Sequence, residues 1–296
     1  MAIFATQSAD SRQIQRSNAE TIQMTFYSGE TATDADGAVT IGIVDEAGTE
    51  VVASGTSATS AGSGVYTYSL AGQSDLKRLT ATWSGTWSSA MEFNSTHEIV
   101  GGFYTSPYEV RQMDSIEGET STFPLTDIIR AMEWAETVVE DYIGTSFVYR
   151  YQRDVLDGTN DQAIRLTKMF PRKILSASID GTALTSAEIN KIALYESGII
   201  AREDSVWNYT VPGKKVIIEY EYGETKQPPQ DIVWVIKTLT RFHLLEAYSR
   251  IPERATSIQN EFGTVILSQP SMGRPTPLPE LNVVINRHRH RPPTAG

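Results

Sequence analysis

Chemistry needs side chains that converge, and this chain of 296 residues offers few candidates. Glu219 and Glu221 lie two apart in the alternating run 215–222, so as strand residues they share one face, with Trp207 upstream. A carboxylate pair on one face is what a glycoside hydrolase would use, one as acid and the other as nucleophile or base. No histidine or metal-ligand set accompanies them, and an exposed strand face or a subunit contact is the better reading. His288 and His290 could both approach a metal, but on a basic tail they lack acidic or further histidine partners in sequence, and no metal site is expected. His243 falls on the apolar face of a helix, where a core or boundary histidine is the ordinary role. Asp154, Asp157, Asn160 and Asp161 surround Gly158 without calcium-loop spacing and read as a turn. Trp83, Trp87 and Tyr68 could form a sugar-stacking surface, though core packing suits most of them better. No glycine loop ends in Lys-Ser/Thr and no nucleophile elbow occurs. Neither cofactor nor catalysis is expected.

Composition narrows the field further. The net charge of −11 argues against a general nucleic-acid binder. The charge is uneven: residues 1–100 carry eleven acids against four bases, while Arg287, Arg289 and Arg291 follow Glu280 with no further acid. Without cysteine there are no disulfides, thiolate catalysis or Cys-based zinc sites, which suits assembly in a reducing cytoplasm. No run approaches the ~18 apolar residues of a membrane span, and Met1–Gln7 lacks the pattern of a secretory signal.

The elements that must position these residues fall into four stretches. Residues 1–20 read as a polar, irregular N-terminal extension. Residues 21–102 read as a β-sandwich: 11 of the 21 glycines fall at or before Gly102, Val39, Ile41 and Ile43 alternate with Thr40, Gly42 and Val44, and Leu79–Trp83 is another strand. Ser54–Gly64 reads as a mobile loop. Gly101-Gly102 marks a boundary beyond which residues 103–269 form a second, separable unit, so a chain starting near Phe103 should fold. Its first long helix, about 124–144, follows Pro124, carries Ile128, Met132, Ala135, Val139 and Tyr142 on one face, and ends at Gly144. A second, about 230–249, carries Ile232, Val235, Ile236, Leu239, Phe242 and Leu245. A β-insert, 147–222, lies between them, with a hairpin expected across Asp157-Gly158 and another turn at Asp180-Gly181. Residues 270–296 read as an extended, basic arm, since six of the thirteen prolines sit at or after Pro270. Such an arm needs a partner to lie on, and removing everything after Ser268 should leave the subunit folded. The fold class is α+β.

At Ile251–Ser257, Phe262–Val265 and Leu278–Arg289, and in the order of helix, β-insert and helix, residues from about Pro107 to Arg291 resemble head-to-tail connector (adaptor) proteins of long-tailed bacteriophages. The N-terminal module looks like the Ig-like β-modules appended to phage structural proteins. The resemblance implies a structural virion protein at the neck, assembled in the host cytoplasm. It would form a homo-oligomeric ring, twelve-fold, beneath the portal protein and above a stopper or tail-terminator protein. Double-stranded DNA would pass through the lumen without sequence-specific binding, and an acidic wall would let it slide. Portal docking is assigned to Pro275, Pro277, Pro279, Leu281, Val283, Val284, Ile285, Arg287, Arg289 and Arg291, and ring assembly to Arg254, Phe262, Glu219 and Glu221. The alternatives are a carbohydrate-binding surface module and, behind it, a glycoside hydrolase.

Overall fold

A computed structural model describes residues 3–9, 12–203, 205–207, 215–225, 227–247, 257–260, 263–266 and 275–290. The chain is mixed α+β with strand predominating. Ten strands fill its first hundred residues: β1 (Ile3–Gln7), β2 (Gln13–Gln15), β3 (Glu20–Ser28), β4 (Thr31–Ala32), β5 (Thr40–Asp45), β6 (Glu50–Ser57), β7 (Thr59–Gly62), β8 (Val65–Leu70), β9 (Lys77–Thr86) and β10 (Ala90–Val100). One sheet runs β1-β3-β8-β7 with β4 beside β3, and the other runs β2-β10-β9-β5-β6. Their inward faces share one core, because period-two alternation sends Ile22, Met24 and Phe26 from β3 against Ile41, Ile43, Leu79, Ala81 and Trp83 from the second sheet.

Two expectations for this half are corrected. The described part of residues 1–20 is not wholly irregular: β1 pairs antiparallel with β3, and β2 pairs parallel with β10. Ser54–Gly64 is not a loop but contributes β6 and β7, the outer strands of the two sheets. Edge strands bury little, so small polar residues suffice there and leave no hydrophobic alternation to read.

The second half places α1 (Pro107–Arg111) and α2 (Leu125–Ile143) before the inserted strands β11 (Arg150–Asp157), β12 (Ala163–Arg165), β13 (Pro171–Ile179) and β14 (Thr182–Ala183). Then follow α3 (Ser186–Ile189), β15 (Ile192–Leu194), β16 (Ile199–Arg202), β17 (Lys215–Tyr222), α4 (Gln230–Ala247), β18 (Ser257–Asn260), β19 (Gly263–Ile266) and α5 (Pro279–Arg287). On α2, Ile128, Met132, Ala135, Val139 and Ile143 are buried, and Gly144 ends the helix in the left-handed region at φ 88°. Helix α2 meets α4 through Ala135, Val139, Ile232, Val235, Ile236 and Leu239.

The insert forms two sheets, β11-β17-β13-β14 and β12-β16-β15, around Ile164, Ile200, Trp207, Ile218 and Tyr220. Asp180 and Gly181, at φ 55° and 81°, make the tight β13–β14 turn. The hairpin expected across Asp157-Gly158 is absent: β11 pairs with β17, and β12 pairs with β16 in the other sheet. The extended arm is also corrected, since Pro279–Arg287 is a helix with Leu281 and Ile285 inside the α2–α4 core.

The two halves meet closely. Gly101 donates its N–H to the carbonyl of Tyr149 (2.8 Å), and a Cβ at Gly101 would lie 2.6 Å from that of Tyr149. Tyr151 of β11 packs into the core of the N-terminal sheets. The expected boundary is therefore a packed junction rather than a linker.

Candidate functional site

Two regions hold the residues singled out from sequence: the C-terminal helix and the junction between the halves. Ahead of α5, buried Asn282 fixes the turn that launches the helix. Its Oδ1 accepts from Thr276 N–H and Oγ1 (both 3.0 Å), and its Nδ2 donates to the Thr276 carbonyl (2.8 Å). Pro279 stands in the first turn, where its missing N–H costs nothing. Leu281 and Ile285 then face inward and Val284 is half-buried, whereas Val283 and Arg287 point outward. Leu281 and Ile285, expected to grip the portal, fill the protein's own core, because the α2–α4 pair leaves an apolar groove that α5 closes. Pro275 and Pro277 are half-buried; Pro279 and Arg289 are exposed. Arg291, Arg254 and Phe262 lie outside the described residues.

Beyond α5 the chain crosses the ends of both long helices. His288 Nε2 lies 2.8 Å from Asp231 Oδ2, and His290 Nε2 lies 3.3 Å from Glu224 Oε2. The guanidinium of Arg289 sits over the Tyr142 ring at 4.7 Å, and Tyr142 donates to Asn286 Oδ1 (2.8 Å). The two histidines thus do have acidic partners, brought from distant sequence. They pair with separate carboxylates, and among the described residues no cluster of ligands suits a metal.

Glu219 and Glu221 do not form an exposed face. Glu221 is buried and held by Arg16 Nη1 (3.1 Å), while Glu219 is paired with Arg153 (3.4 Å) and accepts from Ser176 Oγ (2.8 Å). The N-terminal strands cover this end of β17, so Glu221 is an internal contact and not one offered to a neighbouring copy. Both carboxylates are committed to cations, which leaves no pair for hydrolysis.

The junction has a centre that the sequence reading missed. Arg150, fully buried, donates from Nη2 to Glu136 Oε2 (2.7 Å), with Glu140 Oε1 3.5 Å from its Nε. Tyr104 and Ser146 also donate to Glu140 (2.8 and 2.6 Å), and Gln13 of β2 reaches Glu136 (3.4 Å). Burial pushes Glu136 up to about 7, against the pull of Arg150, and Glu140 adds to the rise. Burial likewise raises Glu98. For Arg150 burial opposes the charge, but Glu140, Glu136 and Glu98 outweigh it and hold the guanidinium firmly protonated. A signal existed: Glu136 sits between Met132, Ala135 and Val139 on the apolar face of its helix, where a carboxylate needs a buried partner.

The remaining candidates are structural. His243 stacks on Trp134 (4.2 Å, 18°) at the helix boundary. Trp83 and Trp87 are buried in the N-terminal core and Tyr68 packs against it. Asp154 is buried and accepts from Thr167 N–H (2.7 Å), Thr167 Oγ1 (2.6 Å) and Tyr220 OH (3.0 Å), tying β11 to β17. Asp154 and Asp157 thus belong to strand β11 and not to the expected turn; Asp157 is exposed at its end, and Asn160 and Asp161 are exposed in the loop that follows.

Long helices braced by a closing C-terminal helix, a Glu219/Glu221 pair committed to arginines and the tryptophans Trp83 and Trp87 committed to a core describe a building block. The sequence pattern of the head completion protein family matches residues 104–256, just over half of the chain. The chain belongs to that family and is a structural head-to-tail adaptor of the virion, not an enzyme. Among solved structures it is similar to a chain from the neck of an empty gene transfer agent particle, with 13% identity and a TM-score of 0.44, covering 65% of this chain and 93% of that one. A chain from the neck of the native particle, computed with C12 symmetry, gives 13% identity and a TM-score of 0.41, covering 60% and 94%. No curated protein matches.

Proposed function

We propose that the chain assembles as a twelve-fold ring beneath the portal, extends the DNA channel towards the tail, and receives a stopper or tail-terminator protein on its far side. Assembly would take place in the host cytoplasm. The N-terminal sheet pair is read as an Ig-like sandwich carried by the adaptor unit. Family membership supports the adaptor role, and the net charge of −11 suits a wall past which DNA slides.

One observation carries the docking assignment: α5 seals the core with one face and offers Val283 (55% exposed) and Arg287 on the other, with Arg289 exposed just past its end. An apolar contact flanked by guanidinium groups suits an acidic, partly apolar portal surface. The docking set is therefore narrowed to Pro279, Val283, Arg287 and Arg289, while Arg291, Arg254 and Phe262 keep their assignments from the resemblance. The test is retention of the connector by heads carrying Val283→Asp with Arg287→Glu and Arg289→Glu. The expected result is a normally folded subunit that heads fail to keep. Normal occupancy would remove docking from this face.

A further inference from the structure

The hairpin between α4 and α5 stands apart from the other sheets. Among the described residues, β18 and β19 pair only with each other, in antiparallel register from Ser257 opposite Ile266 to Asn260 opposite Gly263. The other four sheets have three to five strands each. A lone two-stranded ribbon is marginal in water, and each of its strands leaves an edge of N–H and C=O groups without a ladder partner. The backbone has room for a further strand on each side.

Composition says what that strand can be. Edges kept solvent-exposed are ordinarily blunted by lysine, proline or a bulge. Strands β18 (Ser-Ile-Gln-Asn) and β19 (Gly-Thr-Val-Ile) have no charged residue and no proline, and their register is unbroken. Ile258, Thr264, Val265 and Ile266 are β-branched, the type that favours strands. Glu261 is the only charged residue between Arg254 and Arg274, in a chain whose charged fraction is 21%. Two copies of a chain with net charge −11 repel one another, yet this segment can meet its own kind without opposing charges. Strand direction fits as well. Because β18 and β19 are antiparallel, β19 of one copy and β18 of a copy related by rotation also run antiparallel, the more stable ladder. A second copy on each side therefore satisfies both edges.

We propose that the β18–β19 hairpin is a seam between neighbouring copies of this chain, in which β19 of one subunit adds edge to edge to β18 of the next and builds a continuous antiparallel band. The inference rests on the ring reading above, for which it supplies a subunit contact. The contact is head-to-tail, with a different edge used on each side, so it repeats from copy to copy until the ring closes. Main-chain hydrogen bonds across the added ladder hold it, as in other cases of strand addition. Two strands from each of twelve copies would give a band of ~24 strands, and since barrels of ~16–18 strands already enclose an aqueous channel, closure leaves a passage open.

Cysteine cross-linking tests this against a clean background, since the chain has no cysteine. By register, positions 257, 259, 264 and 266 belong to one face of the ribbon. One population of full-length subunits carries Ser257→Cys or Gln259→Cys, a second carries Thr264→Cys or Ile266→Cys, and equal mixtures are supplied to heads lacking the connector and then oxidised. Opposed residues on adjacent strands have Cα atoms ~4.5–5.5 Å apart, within disulfide reach, whereas the same strand of successive copies would lie ~10 Å apart, beyond it. The expected result is a covalent dimer in at least one of the four mixtures. Dimer from a single population shows a twofold contact and overturns the head-to-tail seam. Heads that keep the connector but yield no dimer in any mixture overturn the seam and leave the ring standing; heads that keep no unaltered connector remove ring and seam together. Hydrogen exchange of the unaltered chain covers the case in which a cysteine variant folds poorly. Amides of 257–260 and 263–266 should gain at least about tenfold protection when the subunit joins heads, and unchanged exchange in the assembled connector overturns the proposal.

Discussion

Arg150 is the residue on which the junction turns. It is buried with Glu136 and Glu140 in contact and Glu98 close by, so three carboxylates share one guanidinium. Removing it by Arg150→Met leaves buried carboxylates uncompensated and should destabilise the fold by about 3–5 kcal/mol, measured by urea unfolding. Glu136 gives a sharper signature. Its value in the fold is about 7 against an ordinary 4.5, so the folded state keeps a proton that the unfolded chain releases. The stability associated with that proton is fully present below the ordinary value and is lost as pH rises through about 7. The expected loss is roughly 3 kcal/mol, because each pH step between the two values corresponds to about 1.36 kcal/mol. Glu136→Gln keeps a polar partner for Arg150 without the titration. Its unfolding midpoint should vary much less between pH 5 and 8 than that of the unaltered chain, and an identical pH profile would remove Glu136 from the account. Gly101 is a steric counterpart: Gly101→Ala presses a methyl into Tyr149 and should cost about 1–3 kcal/mol.

Among the elements, α5 and β2 most change what the chain requires in order to fold. Read from sequence, residues after Ser268 are dispensable to the subunit. In the structure Leu281 and Ile285 are fully buried against α2 and α4, so the same truncation would open the groove over Ile232, Val235, Ile236 and Leu239. Leu281→Ala alone should cost about 2–5 kcal/mol, and the truncated chain should lose its cooperative unfolding transition; an unchanged thermal midpoint would show that α5 is an accessory. Strand β2 is the reciprocal case. It pairs with β10, and the residues at its ends reach the second half: Arg16 to Glu221 (3.1 Å) and Arg12 to Glu133 (3.2 Å). A chain starting at Phe103 uncovers Glu221, Arg150 and Tyr151 together. It should be less stable than the full protein and aggregate more readily, which light scattering during refolding would reveal.

Taken as one body, the protein joins its two halves through a packed junction of core and ion-pair contacts, an arrangement that suits the conduit proposed above. The charge of −11 sets how that unit meets DNA. Binding to a long duplex at physiological salt should be weaker than the ~10⁻⁴–10⁻⁶ M typical of non-specific DNA-binding proteins. Tighter, salt-dependent binding in a fluorescence titration would contradict passive passage.

Local features were legible in the amino-acid order alone. The periodicity of α2 and α4, the stop at Gly144, the turn at Asp180-Gly181 and the core roles of Trp83 and Ile41 are written in neighbouring residues, because helix and strand burial repeat over short intervals. The order of helix, insert and helix was enough to point to an adaptor. What stayed hidden depends on residues far apart in the chain. Edge strands β6 and β7 bury too little to imprint a pattern. The partner of β12 lies some 35 residues on, in β16, not across the nearer turn. The apolar residues of α5 read as a grip for another protein because nothing local shows the groove that they fill. The carboxylates that capture His288, His290 and Arg150 come from 57, 66 and 14 residues away. Which charges meet was settled in three dimensions, since a buried ion pair or an ordered imidazole is fixed by what surrounds it in space, not by its sequence neighbours.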